Sequence, residues 1–573
     1  MSARTLHDLT YDTRHHRYAS YQPQYDIQES RGQLNFFFLQ NTNGVAMMGT
    51  LGGGNGGIGA GVAGVPISRR QVRFLVAVVM VLVFGAVLTA LNVYELHRLT
   101  VQHWLKEHKG GDHGVAVAEA RGPGQYARPM AWVRGSNKGT GYLTHVTNVF
   151  TRLGYDLVDE KDDWDVLWSH NYPFRELKTT LTQLKSHQRV NHFPGSGFIT
   201  NKVNLAISGL PYIPRAFRMP AEKSDLMDHA KNNPNLMFVQ KSNNHRGIKI
   251  EKLDALDLGA EETFVQEFVH NPLLIDGHKF DIGVYTTVTS IQPLRVYMFE
   301  GDVLFRFCTE KYHPFDADVR DKYVVGDNYL PTWKVPSLTS FYTDFGFGMK
   351  GSFDAWLRTQ NKDPEVVWSA VRDAIRNVFY GKETALAQAT SHYPSSANFF
   401  EMMRFDFVID DQLKVHLMEA NMSPNLSSAH FKQNRLLYEQ VVYNLFSLVG
   451  VGKLVHSGSL ASRSLEEEEM QAAHKDVVVF PDHCFTSCQG GAIACQKVEC
   501  QLCFPCLSKE QIRDLQQAYQ EHQRRGGCRR VVPPSVSPDH AHTPQNMSGL
   551  TPENTLMTEW FRGKCLLDKT FCF

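Results

Sequence analysis

Apolar and polar residues alternate along FDFVIDDQLKVHLMEANMSPNL at 405–426, and this alternation predicts two short strands. Asp406 lies on the first strand, and Glu419 and Asn421 lie on the second. The polar residues at 410–412 predict a tight turn between the strands, so we expect an antiparallel hairpin. Because strand side chains alternate between faces, Glu419 and Asn421 share one face, and Asp406 can lie across from them.

The three polar side chains of this hairpin would place oxygen donors around one point. Carboxylate and amide oxygens are the ligands that Mg²⁺ prefers when it also holds the phosphates of a nucleotide. An ordinary hairpin with a solvated polar edge has the same pattern, so the hairpin alone leaves both interpretations open.

Two upstream segments add residues that suit a nucleotide site. In FVQEFVHNPLLIDGHKFDIGVYTTVTS, two β patterns flank a glycine-containing turn, and Lys279 and Asp281 share a strand face. Lys241 ends an apolar strand and is followed by a polar loop that contains Arg246. Lysines there can bind phosphate oxygens, and such a loop can lie over phosphates. The chain has no P-loop motif, which excludes that class of nucleotide site.

An apolar run without a charged residue occupies positions 74–94. Its 21 residues span about 31 Å as a helix, which is enough to cross the hydrocarbon core of a bilayer. We therefore predict a single transmembrane helix at 74–94, after a disordered glycine-rich tail at 1–73 and before a stem at 95–125. Arginines just before the helix favour a cytoplasmic N-terminus and a luminal C-terminal domain, with the opposite orientation left open. These arginines are Arg69, Arg70 and Arg73.

Cysteine is concentrated in an acidic linker and Cys-rich tail at 456–573. Cys308 alone precedes this region among the 10 cysteines of the chain. We expect the tail to be a separate, loop-rich module. Disulfides in an oxidising compartment, a structural zinc on the C-x₂-C-x₂-C pattern at 500–506, and free thiols all fit its composition.

The overall composition is that of a globular protein without a general affinity for nucleic acid. Hydrophobic residues make up 42% and charged residues 21%, and Lys plus Arg equals Asp plus Glu at 59 each. Residues 185–252 contain eleven basic and four acidic residues. This local excess favours an anionic partner, such as phosphate or an acidic peptide, although a solvated basic surface has the same composition.

Long motifs in a fixed order, across about 131–450, resemble the tubulin–tyrosine ligase-like family of ATP-grasp ligases, which add amino acids to tubulin. The motifs are WDVLWS at 164–169, QRVNHFPGSGFITNK at 188–202, YIPRAF at 212–217, NPLLIDGHKFDIGVY at 271–285, PLRVYMFEGDVLFRFCTEKY at 293–312 and the hairpin. The resemblance implies an α+β, ATP-grasp ligase domain at 126–455, in which subdomains close over ATP.

The resemblance also implies a set of site residues. They are Asp406, Glu419 and Asn421 for Mg²⁺; Lys202, Lys241, Arg246, Gln266, Phe268 and Lys279 for ATP; and Asp281 and Arg295 for catalysis. Gln266 and Phe268 belong to the hinge strand expected to hold adenine through its backbone. Arg295 is expected to pair with the acidic substrate.

The implied function is an ATP- and Mg²⁺-dependent ligase that adds an amino acid, glutamate, to a glutamate side chain of tubulin through an acyl phosphate. Two departures bear on turnover: Gly283 and Asn201 stand where the family motifs F-D-[LI]-R and T-R-K have arginine. Losing one charge-stabilising donor costs roughly 10²–10³ in rate. We therefore expect any ligase activity to be weak and Gly283→Arg to raise it. Basic residues such as Arg404 or Lys249 would favour an active enzyme if they replace the missing cations in space. The alternative function is a weakened pseudo-ligase that binds nucleotide and an acidic partner, with a luminal location left open.

Overall fold

The computed structural model describes residues 128–135, 141–160, 163–242, 249–251, 253–452, 470–489, 491–543 and 545–573. The N-terminal tail, the transmembrane helix at 74–94 and the stem lie outside these residues and stay predictions. Within the described part of the chain, every helix is too short or too polar to cross a bilayer.

The described residues combine strands and helices, which confirms the expected mixture of α and β structure. The strands are β1 (Met130–Arg134), β2 (Asp156–Val158), β3 (Val166–Ser169), β4 (Arg189–Val190), β5 (Ala216–Met219), β6 (Phe238–Ser242), β7 (Lys249–Glu251), β8 (Thr263–Glu267), β9 (Leu274–Ile275), β10 (His278–Ile291), β11 (Leu294–Phe299), β12 (Leu304–Phe307), β13 (Leu330–Pro331), β14 (Glu401–Ile409), β15 (Val415–Met422) and β16 (Cys528–Val532).

The helices have the following bounds. They are α1 (Thr144–Arg152), α2 (Lys178–Leu181), α3 (Gly197–Thr200), α4 (Lys202–Ala206), α5 (Lys223–Asn232), α6 (Pro336–Thr343), α7 (Gly348–Thr359), α8 (Pro364–Thr390), α9 (Asn434–Leu448), α10 (His474–Val477), α11 (Pro481–Ser487), α12 (Lys509–Arg524) and α13 (Pro552–Leu567).

The described strands form three sheets. The first has the parallel order β2-β1-β3-β4, and the second is an antiparallel sheet in the order β5-β8-β6-β7. The third and largest is built around β10, which is 14 residues long and pairs with β9, β11, β12 and β14. This third sheet carries most of the polar residues of the candidate site, and the second sheet supplies Lys241.

Helix α8 covers the largest sheet and helps to fix its strands. Asp363 caps the helix by accepting a hydrogen bond from the N–H of Glu365, and Pro364 occupies its first position. Val367, Val371 and other apolar side chains at helical spacing are fully buried in the main core. The helix therefore buries one face of the sheet, and this packing fixes the strands that carry the polar residues of the candidate site.

The Cys-rich tail is not a separate module, contrary to the expectation from its composition. Strand β16 of the tail pairs with β11 of the largest sheet, with Val532 opposite Val296 and Cys528 opposite Phe299. The described residues between 128 and 573 belong to one compact unit. The strand was not apparent in the sequence because CRRVV is short, charged and lies inside a region rich in loops.

An ion pair buried between the tail and the sheet fixes this arrangement. Arg295 on β11 is 1% exposed, and its Nε and Nη2 atoms lie 3.0 and 3.2 Å from the carboxylate oxygens of Glu521 on α12. The same carboxylate accepts hydrogen bonds from the hydroxyls of Tyr297 and Thr289. Arg295 therefore holds the tail in place.

Eight tail cysteines are joined in disulfides. The pairs are Cys484–Cys503, Cys488–Cys500, Cys495–Cys506 and Cys565–Cys572. Each cysteine of the C-x₂-C-x₂-C pattern is bonded to another cysteine, which favours the disulfide interpretation over zinc and free thiols. Cys308 and Cys528 are free and buried.

We expect Glu521→Ala to destabilise the protein by about 3–5 kcal/mol, because it leaves the Arg295 guanidinium buried without its counter-charge. Urea unfolding of the full chain, followed by tryptophan fluorescence, measures the change. Arg513→Ala is the matched control, since Arg513 is an exposed position of the same helix. Equal stability of the two variants would contradict a supporting role for this ion pair.

Candidate active site

The predicted hairpin is present, and it brings its three polar side chains together. Strands β14 and β15 pair antiparallel, with Asp406 opposite Glu419. Asn421 Nδ2 donates hydrogen bonds to Asp406 Oδ2 at 3.0 Å and to Glu419 Oε1 at 3.1 Å. A shift of register just after Asp406 marks a β-bulge, a feature that commonly redirects side chains beside active sites.

Two arginines outside the predicted set of site residues bind its carboxylates, and one of them, Arg404, was named only as a replacement for a missing cation. Arg306 on β12 lies directly opposite Asp281 on β10 and binds it through two hydrogen bonds of 2.8 and 2.9 Å. Arg306 Nη2 also lies 3.1 Å from Asp406 Oδ2. Arg404 on β14 binds both oxygens of Asp406, at 2.7 and 2.8 Å. Such paired charge-assisted hydrogen bonds fix the orientation of both carboxylates.

Lys202 completes the hairpin side of the cluster. Its Nζ atom lies 2.6 Å from Glu419 Oε2. Burial alone would raise the pKa of Glu419, but Lys202 and the hydrogen bond from Asn421 outweigh it and hold this pKa at about 2. Asn201, at the position of a family arginine, caps helix α4 by accepting a hydrogen bond from the N–H of Asn204 at 3.0 Å. The replacement therefore has a structural role in placing Lys202.

The other two predicted phosphate lysines approach the cluster from different strands. Lys241 at the end of β6 donates to Gln266 Oε1 at 3.0 Å, and Lys279 on β10 donates to the Tyr323 carbonyl at 2.8 Å. Burial lowers the pKa of Lys241 to about 8, although Glu419 opposes this change. Burial likewise lowers the pKa of Lys279. A bound anionic ligand would stabilise the charged form of both lysines and so offset the effect of burial.

The predicted hinge strand is present in part. Gln266 is buried on β8, where its side chain also donates to the Pro214 carbonyl. The backbone N–H of Phe268 donates to the Met237 carbonyl at 2.9 Å, so that group is already paired. The Phe268 ring lies 5.5 Å from Lys279 Nζ, which places it beside the phosphate lysines.

Arg295 is the predicted site residue that the structure places elsewhere. It lies opposite Ser290 on β10. Ser290 is nine residues from Asp281, so the two positions are about 30 Å apart along the strand. Because its guanidinium is buried against Glu521, the predicted pairing of Arg295 with an acidic substrate is wrong. Arg246 lies outside the described residues, and its role in a phosphate loop stays a prediction.

The charges of the cluster suit an anionic ligand accompanied by a cation. Five basic side chains surround three carboxylates, which leaves an excess of two positive charges when all are ionised. The basic side chains are Lys202, Lys241, Lys279, Arg306 and Arg404, and the carboxylates are Asp281, Asp406 and Glu419. The donor set fits Mg²⁺, because carboxylate oxygens of Asp406 and Glu419 both lie within about 3.1 Å of one atom, Asn421 Nδ2. The Asn421 amide would have to rotate to present its oxygen to the cation. A cation there would compete with the arginines for Asp406.

A surface cavity lies beside this cluster. Its volume is about 350 Å³, and its lining residues include Thr309, Tyr329, Lys334 and His430. Pro331, which also lines it, lies directly opposite Arg306 in the sheet. The cavity therefore offers space for a small polar molecule next to Arg306.

Comparisons with known proteins give the family context of this site. Residues 180–456 match the model described as the tubulin-tyrosine ligase family. A Caenorhabditis elegans protein named probable tubulin polyglutamylase ttll-15 is 42% identical over 459 residues, which cover 78% of this chain and 87% of that protein. Mouse tubulin polyglutamylase TTLL6 is 28% identical over 315 residues, covering 51% of this chain and 37% of its own length. Mouse tubulin polyglutamylase TTLL5 is 28% identical over 421 residues, which cover 68% of this chain and 31% of its own length.

We expect the affinity of this site for Mg-ATP to fall as the pH rises from 7 to 9. Lys241 has a pKa of about 8, so it is charged below this pH and loses its positive charge above it. At pH 9 about nine in ten unliganded molecules would be neutral at this position, which weakens binding by up to roughly tenfold. Isothermal titration calorimetry at both pH values measures the change.

Lys241→Arg is the control for this pH dependence, because arginine stays charged at pH 9. An equal fall in affinity in Lys241→Arg and in the natural protein would assign the dependence to another group.

Proposed function

Because this chain belongs to the tubulin-tyrosine ligase family, we propose that it is an ATP- and Mg²⁺-dependent ligase that adds glutamate to a glutamate side chain of an acidic tubulin tail. The observation that carries this proposal is the cluster of five basic side chains around three carboxylates. The substrate is suggested by the names of the relatives, which are tubulin polyglutamylases.

The proposed reaction has two steps. In the first, a carboxylate oxygen of the acceptor glutamate attacks the γ-phosphorus of ATP, and the bond to the ADP oxygen breaks, which gives an acyl phosphate. In the second, the amine of the incoming glutamate attacks the acyl carbon, phosphate leaves with the bonding electrons, and the amine loses a proton. Both steps need alignment of anionic reactants and stabilisation of negative charge.

The residues of the cluster can divide this work. Lys202, Lys241 and Lys279 would neutralise phosphate oxygens, and Asp281 would hold the Arg306 guanidinium in one orientation. Asp406, Glu419 and Asn421 would hold Mg²⁺, which supplies charge stabilisation when it is bound. The cavity beside Arg306 has room for the incoming glutamate.

A second candidate is a pseudo-ligase that binds nucleotide and an acidic partner without transfer. The observation that favours it is the saturation of Asp406, whose oxygens accept hydrogen bonds from two arginines and from Asn421. A carboxylate neutralised in this way binds a cation less strongly. Transfer activity and nucleotide binding therefore have to be measured separately.

We expect the purified full chain to transfer radioactive glutamate to tubulin in the presence of Mg-ATP, and not to tubulin whose acidic tails have been removed. Glycine in place of glutamate tests the choice of amino acid. We also expect Mg-ATP at a hundredfold excess over Kd to stabilise the chain by about 2.7 kcal/mol. Glu419→Gln should lose both effects, and Glu310→Gln, at an exposed position, should keep both.

The three outcomes of this experiment have different meanings. Stabilisation with transfer supports the ligase, and stabilisation without transfer to any tested acceptor supports the pseudo-ligase. Absence of stabilisation by Mg-ATP in the natural protein would reject the nucleotide site and both functions.

The compartment of this domain follows from a separate proposal. Four disulfides in the described tail favour an oxidising compartment. The arginines before the predicted membrane helix favour a cytoplasmic N-terminus, which would place this domain in such a compartment. We therefore propose a luminal or extracellular domain. The two proposals differ in the acceptor inside the cell: a luminal domain would act on another acidic protein, and tubulin would be the acceptor only of a cytosolic domain.

We expect Asn546 to carry a glycan when the chain is expressed in animal cells, because Asn546-Met547-Ser548 is a sequon whose asparagine is exposed. Glycosidase treatment should increase the mobility of the natural protein on a denaturing gel and should leave Asn546→Gln unchanged. Protease removal of the tail from intact microsomes would place the domain in the cytosol instead.

A further inference from the structure

Gly283 lies in the middle of the long strand β10, where a glycine needs a physical reason. Its backbone does not adopt the left-handed region, so any residue could take this conformation. Glycine within a strand weakens it, because glycine loses more conformational freedom on folding and has no side chain to pack. The reason for glycine must therefore be the space that a side chain would occupy.

That space is filled by Arg404 from the neighbouring strand. A Cβ atom at position 283 would lie 2.8 Å from Cδ and 3.1 Å from Nε of Arg404. It would also lie 3.3 Å from Oδ1 of Asp406, the residue directly opposite Gly283 in the sheet. A contact of 2.8 Å is shorter than Cβ atoms tolerate, so even alanine would displace the arginine.

The position of Arg404 is narrowly defined by its own contacts. The residue is 7% exposed, and its Nε and Nη2 atoms donate to both oxygens of Asp406. Arg404 and Asp406 are two residues apart on β14, so both side chains project on the face that carries the cluster. Moving the guanidinium away would break two charge-assisted hydrogen bonds to a carboxylate that is 3% exposed.

We propose that Gly283 and Arg404 are a matched pair, in which β14 supplies to this cluster the arginine that β10 lacks. Gly283 provides the space, and Arg404 provides the positive charge and fixes the orientation of Asp406. Arg404 is thus a positioning residue for nucleotide binding and transfer, and this role rests on the proposed function. The earlier expectation that Gly283→Arg raises activity is withdrawn, because the new side chain would collide with Arg404.

The steric half of the proposal is tested by thermal unfolding of the full chain without nucleotide. Gly283→Ala should lower the unfolding midpoint in the natural background, because the new methyl group displaces Arg404. It should leave the midpoint unchanged or higher in the Arg404→Ala background, where the collision is absent. Gly326→Ala is the control, since a Cβ atom there meets nothing within 4 Å. Equal effects of Gly283→Ala in both backgrounds would overturn the pairing.

The functional half is tested by exchanging the two residues. Arg404→Gly should weaken the Mg-ATP-induced stabilisation and reduce kcat for glutamate transfer by roughly 10²–10³, the usual effect of losing one such donor. The exchange variant Gly283→Arg/Arg404→Gly should recover at least about tenfold of that loss, because it returns one arginine to the same space without a collision. Arg404→Lys should have less transfer activity than the exchange variant, since lysine lacks the paired geometry that holds Asp406.

The controls separate this proposal from the proposed function. Arg435→Gln removes an exposed arginine of α9 and should keep the activity and nucleotide response of the natural protein. If the natural protein responds to Mg-ATP and Arg404→Gly responds equally, the role of Arg404 is overturned while the nucleotide site stands. If the exchange variant is less stable than either single variant, the matched pair is overturned. If the natural protein shows no response to Mg-ATP, the proposed function fails first, and with it the role of Arg404 in binding.

Discussion

The structure of the candidate site depends on how one buried carboxylate, Asp406, is neutralised. An ionised carboxylate with 3% exposure is strongly unfavourable unless charged and polar donors surround it. Arg306 from β12, Arg404 from its own strand and Asn421 from β15 supply these donors. Because each donor comes from a different strand, the register of the largest sheet determines the geometry of the site. A slip of one residue in any pairing would turn the corresponding side chain to the opposite face.

The hairpin and the lysines could be predicted because each has a local pattern. Strand alternation placed Glu419 and Asn421 on one face, and the polar turn defined the antiparallel pairing that brings Asp406 opposite Glu419. The arginines could not be assigned in the same way. Arg404 is visible two residues before Asp406, but its importance depends on Gly283, which lies 121 positions earlier and becomes its neighbour only through the sheet. Compared with the family motif, Gly283 lacks an arginine, whereas in the fold the Arg404 side chain occupies the space beside Gly283.

Arg295 and the tail were misjudged for a related reason. An arginine on a β strand of a ligase-like sequence suggests substrate binding, and nothing local indicates that Glu521 will arrive from a helix 226 residues away. The cysteine content of 456–573 suggested an independent module held by its own covalent links. The disulfides are indeed present, yet the same segment contributes a strand and a buried counter-charge to the main sheet. Covalent stapling and integration into a larger core are therefore compatible in one segment.

The pairing of β16 with β11 also has a consequence for biosynthesis. Val296 and Val532 are 236 residues apart in the chain, and the edge of β11 stays unpaired until the later strand has left the ribosome. Contacts of such large sequence separation slow folding, and an open strand edge invites association with other chains. The nascent protein thus exposes this edge while the segment between the two strands is translated, which is less than half of the chain. A chain truncated before Cys528 would keep that edge of β11 exposed.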